Sequence, residues 1–287
     1  MNVIRAEVLG MCFGVRDALA IIAGVPRPAD VAIHGHLVHN DVVTTGLEAR
    51  GFATTQEADR GGVPSRPVVL ITAHGVSGRE RSRLEAAGKT LVDTTCPLVA
   101  RAHDAALKLA RAGYHVIVVG RRGHVEVLGI TGDLESFDVV ETPEEVVAYS
   151  SRKLGVVCQT TTPERLAARV RAAVVAKNPE AEVKYIDTVC HPTKEHQRSL
   201  DRLLDRVEAV VVVGGKTSNN TRELVALCED RGKKACHVAT AADLVDEWFD
   251  GLSTVGLTAG TSTLDETIDD VERAIRRLPV SAFAGAD

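Results

Sequence analysis

Apolar runs of strand length alternate with stretches of helical period from one end of the chain to the other, and this alternation limits the fold more than any other feature. The runs include Val31–Ile33, Val68–Ile71, Val116–Val119, Leu154–Cys158, Val210–Val213 and Val255–Leu257. Between them, sets such as Val15, Ala18, Leu19 and Ile22, or Leu264, Ile268, Val271 and Ile275, keep helical spacing. This order predicts an α/β protein with largely parallel sheets. Aromatic residues make up only 3% of the chain, so aliphatic side chains must fill its cores. With 287 residues, 45% of them hydrophobic, there is material for two or three domains.

Three cysteines mark the places where strands turn into helices. Cys12, Cys96 and Cys190 lie 84 and 94 residues apart, and the last two share a signature: Val92-Asp93-Thr94-Thr95-Cys96 and Ile186-Asp187-Thr188-Val189-Cys190. Other landmarks recur in the same order. His39, Glu126 and Asn220 are 87 and 94 residues apart, and His74, Thr160 and Ser262 are 86 and 102 apart. A pseudo-threefold α/β architecture follows, with domain changes just after Cys96 and Cys190. The expected lobes are 1–96 with Cys12, His39 and His74; 97–190 with Cys96 at its start, His124, Glu126 and Thr160; and 191–287 with Cys190 at its start, Ser218, Asn220 and Ser262.

Ligands of open α/β sheets collect beyond the carboxyl ends of the strands. Facing inward, three such lobes would line one cavity with the cysteines and the polar residues of these loops. The aligned peptide dipoles at a helix N-terminus favour a thiolate, which suits metal ligation. Three such ligands fit zinc with an open fourth position, or a four-iron cluster with one iron left without a protein ligand. Cys158, Cys228 and Cys236 sit in apolar contexts and read as core residues. His39, His74 and His124, with Ser218, Asn220 and Ser262, supply hydrogen-bond donors for phosphate oxygens. The loops Gly214-Gly215-Lys216-Thr217-Ser218 and Thr258-Ala259-Gly260-Thr261-Ser262 would add backbone N–H groups. Glu126 is expected to share a face with His124 in an extended segment, and a desolvated carboxyl there could hold a proton near neutral pH.

A net charge of −5 argues against a general nucleic-acid or membrane-surface binder. The N-terminal residues lack the features of a signal sequence, and no stretch is long and apolar enough to span a bilayer, so a cytoplasmic, reducing address is expected. Residues after Leu278 read as a frayed tail.

The ordered segments Cys12-Phe13-Gly14-Val15, Val38-His39-Asn40, Ala73-His74-Gly75-Val76-Ser77, Asp93-Thr94-Thr95-Cys96-Pro97, Gly123-His124-Val125-Glu126, Gln159-Thr160-Thr161, Asp187-Thr188-Val189-Cys190, Gly214 to Asn220 and Thr258 to Ser262 resemble those of the 4-hydroxy-3-methylbut-2-enyl diphosphate reductases, the IspH or LytB family. The resemblance spans nearly the whole chain. It implies a trefoil of three α/β domains around a 4Fe-4S cluster bound by Cys12, Cys96 and Cys190. It also implies that His39, His74, His124, Ser218, Asn220 and Ser262 hold the diphosphate of an allylic substrate, while Thr160 and Glu126 meet its hydroxyl and Glu126 supplies protons. The implied reaction is a two-electron reductive dehydroxylation in the methylerythritol phosphate pathway, giving isopentenyl and dimethylallyl diphosphates, with electrons from a ferredoxin or flavodoxin. Two departures stand out. The family's common His-Pro-Glu is His124-Val125-Glu126 here, and its Ala-Thr-x-x-Arg-Gln after the third cysteine is Pro192-Thr193-Lys194-Glu195-His196-Gln197. Competing readings are a three-thiolate zinc hydrolase of a phosphorylated metabolite and a cluster-bearing sensor without turnover.

Overall fold

The computed structural model describes residues 1–278, so the expected tail after Leu278 lies outside the described residues. Among the described residues the chain forms three four-stranded sheets, parallel throughout and flanked by helices. One sheet has the order β3-β2-β4-β5, built from β2 (Val31–His34), β3 (Ala53–Thr54), β4 (Val68–Ile71) and β5 (Thr90–Asp93). A second repeats the order as β7-β6-β8-β9, from β6 (His115–Val119), β7 (Phe137–Val140), β8 (Lys153–Cys158) and β9 (Glu182–Tyr185). The third, β11-β10-β12-β1, joins β10 (Ala209–Val213), β11 (Lys234–Val238) and β12 (Thr254–Ala259) to the N-terminal β1 (Asn2–Arg5). The strands of each sheet fall within 1–96, 97–190 and 191–287 respectively, except β1, which pairs with β12 in the register Asn2 opposite Thr254.

The middle strands explain the continuous apolar runs. Covered by helices on both faces, they have no solvent side and so no alternation. Val116, Ile117, Val118 and Val119 of β6 and Val210, Val211, Val212 and Val213 of β10 are all fully buried. At about 1.5–3 kcal/mol for each large aliphatic side chain removed from water, these strands carry much of the folding energy. The helices that matter for the site are α1 (Phe13–Ala23), α2 (Asp41–Ala49), α3 (Gly78–Ala86), α4 (Pro97–Arg111), α5 (Val125–Thr131), α6 (Glu164–Lys177), α7 (His191–Leu204), α8 (Asn219–Asp230) and α9 (Asp265–Arg277). Helix α4 shows how local chemistry fixes a boundary: Pro97 occupies its first turn, where a missing N–H costs nothing, and Lys108 and Arg111 meet the negative end of its dipole.

By compactness the chain divides into two units. One comprises Met1–Cys12, His39–Asp41 and the chain from His191 onward; the other comprises Phe13–Val38 and Val42–Cys190. Among the described residues, no helix is long and apolar enough to cross a membrane.

Candidate active site

Each of Cys12, Cys96 and Cys190 is the residue immediately before a helix, namely α1, α4 and α7. Their turns share one construction. The amides of Cys12, Cys96 and Cys190 donate to the carbonyls of Thr261 at 3.0 Å, Ala73 at 3.1 Å and Thr160 at 2.9 Å. Each acceptor stands two residues past the end of a central strand, β12, β4 or β8. The Asp-Thr signature supplies the rest. Thr94 and Thr188 donate their hydroxyls at 2.6 Å to the carbonyls of Ile71 and Cys158, the last residues of β4 and β8. Asp93 and Asp187 each accept from the amide two residues on, at 2.9 Å and 3.2 Å, closing an Asx-turn. At Cys12 the signature is absent, yet the Gly10 amide donates to the carbonyl of Ala259, the last residue of β12, as Thr94 does to Ile71. The three cysteines are half-buried, whereas Cys158, Cys228 and Cys236 are buried core residues. Burial pushes the Cys228 thiol up to about 12, so it stays protonated.

In the second unit, Glu126 and Thr160 meet. The Thr160 amide donates to Glu126 Oε1 at 2.6 Å and the Thr160 hydroxyl donates to Oε2 at 3.0 Å. Glu126 is 2% exposed. Desolvation pushes its carboxyl up from 4.5 to about 7, against the opposing pull of the two Thr160 bonds. Glu126 does not lie in an extended segment, as its sequence context predicted, but in the first turn of α5. The reason is the cap: His124 is the N-cap residue, and its Nδ1 accepts from the Glu126 amide at 3.1 Å. A neutral His124 therefore carries its proton on Nε2, which makes that atom a donor. The ring of His74 stands edge-on to that of His124 with centroids 5.7 Å apart.

The first unit holds Ser218, Asn220 and Ser262. Ser218 caps α8 by accepting from the Thr221 amide, which leaves its own O–H to donate. Asn220 Oδ1 accepts from the Thr261 amide at 3.0 Å, while its Nδ2 and the Ser262 Oγ are buried without a hydrogen-bond partner. Asn40 Nδ2 donates to the Ser262 carbonyl at 2.7 Å and pins that loop. Sequence reasoning misses Asn40; its place just before α2, where capping residues collect, is the available signal. His39 precedes it and is half-buried.

The structure also corrects the repeat landmarks. Hydrogen bonding makes Thr160 equivalent to Ala73 and Thr261, one residue short of His74 and Ser262. Glu126 and Asn220 do correspond, each being the second residue of its helix, but His39 lies two residues before α2.

A family model described as LytB protein matches residues 3–276. The chain belongs to this family. Among curated LytB relatives, the 4-hydroxy-3-methylbut-2-enyl diphosphate reductase of Methylibium petroleiphilum is 36% identical over 96% of this chain and 85% of its own length. That of Aquifex aeolicus is 32% identical over 97% of both chains. A solved structure of the E-1-hydroxy-2-methyl-but-2-enyl-4-diphosphate reductase from Plasmodium falciparum matches with a TM-score of 0.89 at 25% identity, covering 97% of this chain and 89% of its own. A second, of (E)-4-hydroxy-3-methyl-but-2-enyl diphosphate reductase, the terminal enzyme of the non-mevalonate pathway, gives a TM-score of 0.66 at 32% identity, covering 96% and 99%. LytB membership makes this chain an enzyme of the oxidoreductase class.

Proposed function

We propose that the chain converts 4-hydroxy-3-methylbut-2-enyl diphosphate into isopentenyl and dimethylallyl diphosphates by two-electron reductive dehydroxylation. The observation that carries the reading is the buried Glu126 carboxyl poised near pH 7 against Thr160, in a family whose curated relatives are reductases of that name. In balance, two electrons and two protons enter, the C–O bond breaks, and the hydroxyl leaves as water.

The donor set fits a 4Fe-4S cluster held by Cys12, Cys96 and Cys190. All three thiols are half-buried at helix N-termini, where thiolates are favoured, and each is fixed through its backbone amide. Room has been left for the sulfur of Cys96: a Cβ on Gly14 would lie 2.5 Å from its Sγ. When bound, the cluster supplies the electrons. The residues do the remaining work. His39, His74, His124, Ser218, Asn220 and Ser262 bind the diphosphate, and the uncommitted donors of Asn220 and Ser262 match that task. Thr160 orients the substrate hydroxyl beside Glu126, and the protonated carboxyl gives its proton to the departing oxygen. A ferredoxin or flavodoxin serves as electron donor.

The replacement of Pro by Val125 leaves this arrangement intact. Val125 is the first residue of α5, a position that suits proline but does not require it, and Glu126 keeps its place in the turn.

Anaerobically purified protein should be brown, contain four iron and four sulfide per chain, and consume the hydroxylated diphosphate under reduction. One equivalent of zinc without iron would overturn the proposal, and an intact cluster with no turnover on allylic diphosphates would favour a sensor.

A further inference from the structure

We infer that Gln159 is a positioning residue for the acid of this site, holding the loop that leads into α5, and with it Glu126, in register with Thr160. The inference rests on the reading of Glu126 as the proton donor. Gln159 is the first residue after β8 and is fully buried. Its backbone amide donates to the carbonyl of Val119, the last residue of β6, at 2.8 Å. Its side chain continues across the same gap, with Oε1 accepting from the Arg121 amide at 3.0 Å. From Arg121 the contacts run on: the His124 amide donates to the Arg121 carbonyl, the Glu126 amide donates to His124 Nδ1, and the Glu126 carboxylate accepts from Thr160. Thr160 is bonded through the peptide to Gln159. The side chain therefore closes a ring in which the acid and its hydrogen-bond donor are both members.

Two further observations separate this from ordinary packing. The carboxamide lies so close over Gly120 that a Cβ there would stand 2.7 Å from Gln159 Cβ and 2.9 Å from its Oε1. Meanwhile Nε2 is buried with no partner, a burden that an apolar side chain of the same length would not carry, so the acceptor is what the position requires. The repeat also supplies an internal comparison. Matching turn hydrogen bonds make Thr72 and Gly260 the counterparts of Gln159 after β4 and β12. Neither has a long acceptor side chain, and neither adjoining helix has a carboxyl at the place of Glu126: the counterparts in α2 and α8 are Val42 and Asn220. The bridging amide occurs where the acid occurs.

Gln159→Met keeps the length and removes the acceptor. The loop then loosens, the Glu126 carboxylate loses the Thr160 bonds that favour its charged form, and its pKa moves further up. Because a protonated Glu126 is the active form, the alkaline fall of kcat should shift to higher pH. A misplacement of this kind should lower kcat about 10- to 100-fold while KM stays within about twofold. Gly120→Ala leaves every bonding group in place but drives a methyl into Gln159, so it should shift the profile in the same direction. The double variant should add little to either single one.

The carboxyl stretch of Glu126, read by infrared difference between each variant and its Glu126→Gln counterpart, follows the same pKa without turnover. Gly120→Ala carries both measurements should Gln159→Met fail to fold. Wild-type pH profiles and an unmoved stretch in a folded variant, with only the unfolding midpoint lowered, would overturn the inference. Normal turnover in Glu126→Gln would instead remove the acid reading itself; an inactive Glu126→Gln beside an unmoved Gln159→Met profile would remove only the role given to Gln159.

Discussion

Burying Glu126 has a stability cost that can be measured apart from catalysis. Its carboxyl is 2% exposed and is pushed up to about 7 from 4.5, with desolvation as the cause. Each tenfold change in proton affinity is worth about 1.4 kcal/mol, so the charged carboxylate destabilises the fold by about 3 kcal/mol relative to the protonated form. The sign follows from proton binding. Between pH 4.5 and 7 the folded chain holds a proton on Glu126 that the unfolded chain has released, so this group's contribution is greatest below 4.5 and is lost as pH rises through 7. Glu126→Gln keeps the shape and can still accept from the Thr160 amide, but it cannot ionise. From pH 5 to pH 8 the wild type should therefore lose about 2 to 3 kcal/mol more stability than Glu126→Gln. Urea unfolding of the two proteins, in the same metal state at each pH, gives the pairwise difference and cancels all other titrations. A difference constant to within about 0.5 kcal/mol across that range would refute the account of the buried acid. The same group should make turnover fall as pH rises through about 7.

Three further outcomes are expected. Gly14→Ala places a methyl 2.5 Å from the Cys96 sulfur, so iron and sulfide per chain should fall well below the wild-type content while secondary structure measured by circular dichroism is kept. Ser262→Ala removes a buried hydroxyl that has no partner; the substrate-free protein should gain about 1 kcal/mol in urea unfolding while KM for the diphosphate rises about tenfold. Asp133 accepts from the Gly78 and Arg79 amides at 2.6 and 2.8 Å at the start of α3, and Asp133→Ala should cost about 1–2 kcal/mol, seen as faster hydrogen exchange in that helix.

The parts of the fold that are legible in the sequence are those that water never touches. The central strands β2, β4, β6, β8, β10 and β12 show as apolar runs because both faces are covered. The edge strands β3 and β7 are short or half-exposed and carry no such run. Helix α3 is hidden because, of its nine residues, GRERSRLEA, only Leu84 is buried, so it has no apolar stripe. The site residues are legible as types, but their geometry is not. Gly123-His124-Val125-Glu126 is expected to be extended, whereas His124 caps the helix whose first turn contains Glu126. The pairing of β1 with β12 joins opposite ends of the chain, and no local pattern can announce such a contact.

The repeat gives its most specific information where its copies diverge. Glu126 and Asn220 occupy the same place in α5 and α8, and each accepts through its side-chain oxygen from an equivalent amide, Thr160 at 2.6 Å and Thr261 at 3.0 Å. One backbone frame therefore presents an acid in one copy and a neutral amide donor in the other. An acid beside the diphosphate would repel it, whereas a neutral donor beside the departing hydroxyl could not give up a proton. The proposed assignment of tasks accords with that difference, and it can be tested by exchanging the chemistry within the frame. Asn220→Asp keeps the oxygen that accepts from Thr261 and replaces the uncommitted Nδ2 with a negative oxygen. Loss of one charge-assisted hydrogen bond, at about 1.5–3 kcal/mol, with repulsion added, should raise KM at least about tenfold. The position of the alkaline limb of kcat should stay where Glu126 sets it. If that limb moves while KM does not, Asn220 acts on the proton rather than on the anion, and the division of labour proposed for the two copies is wrong.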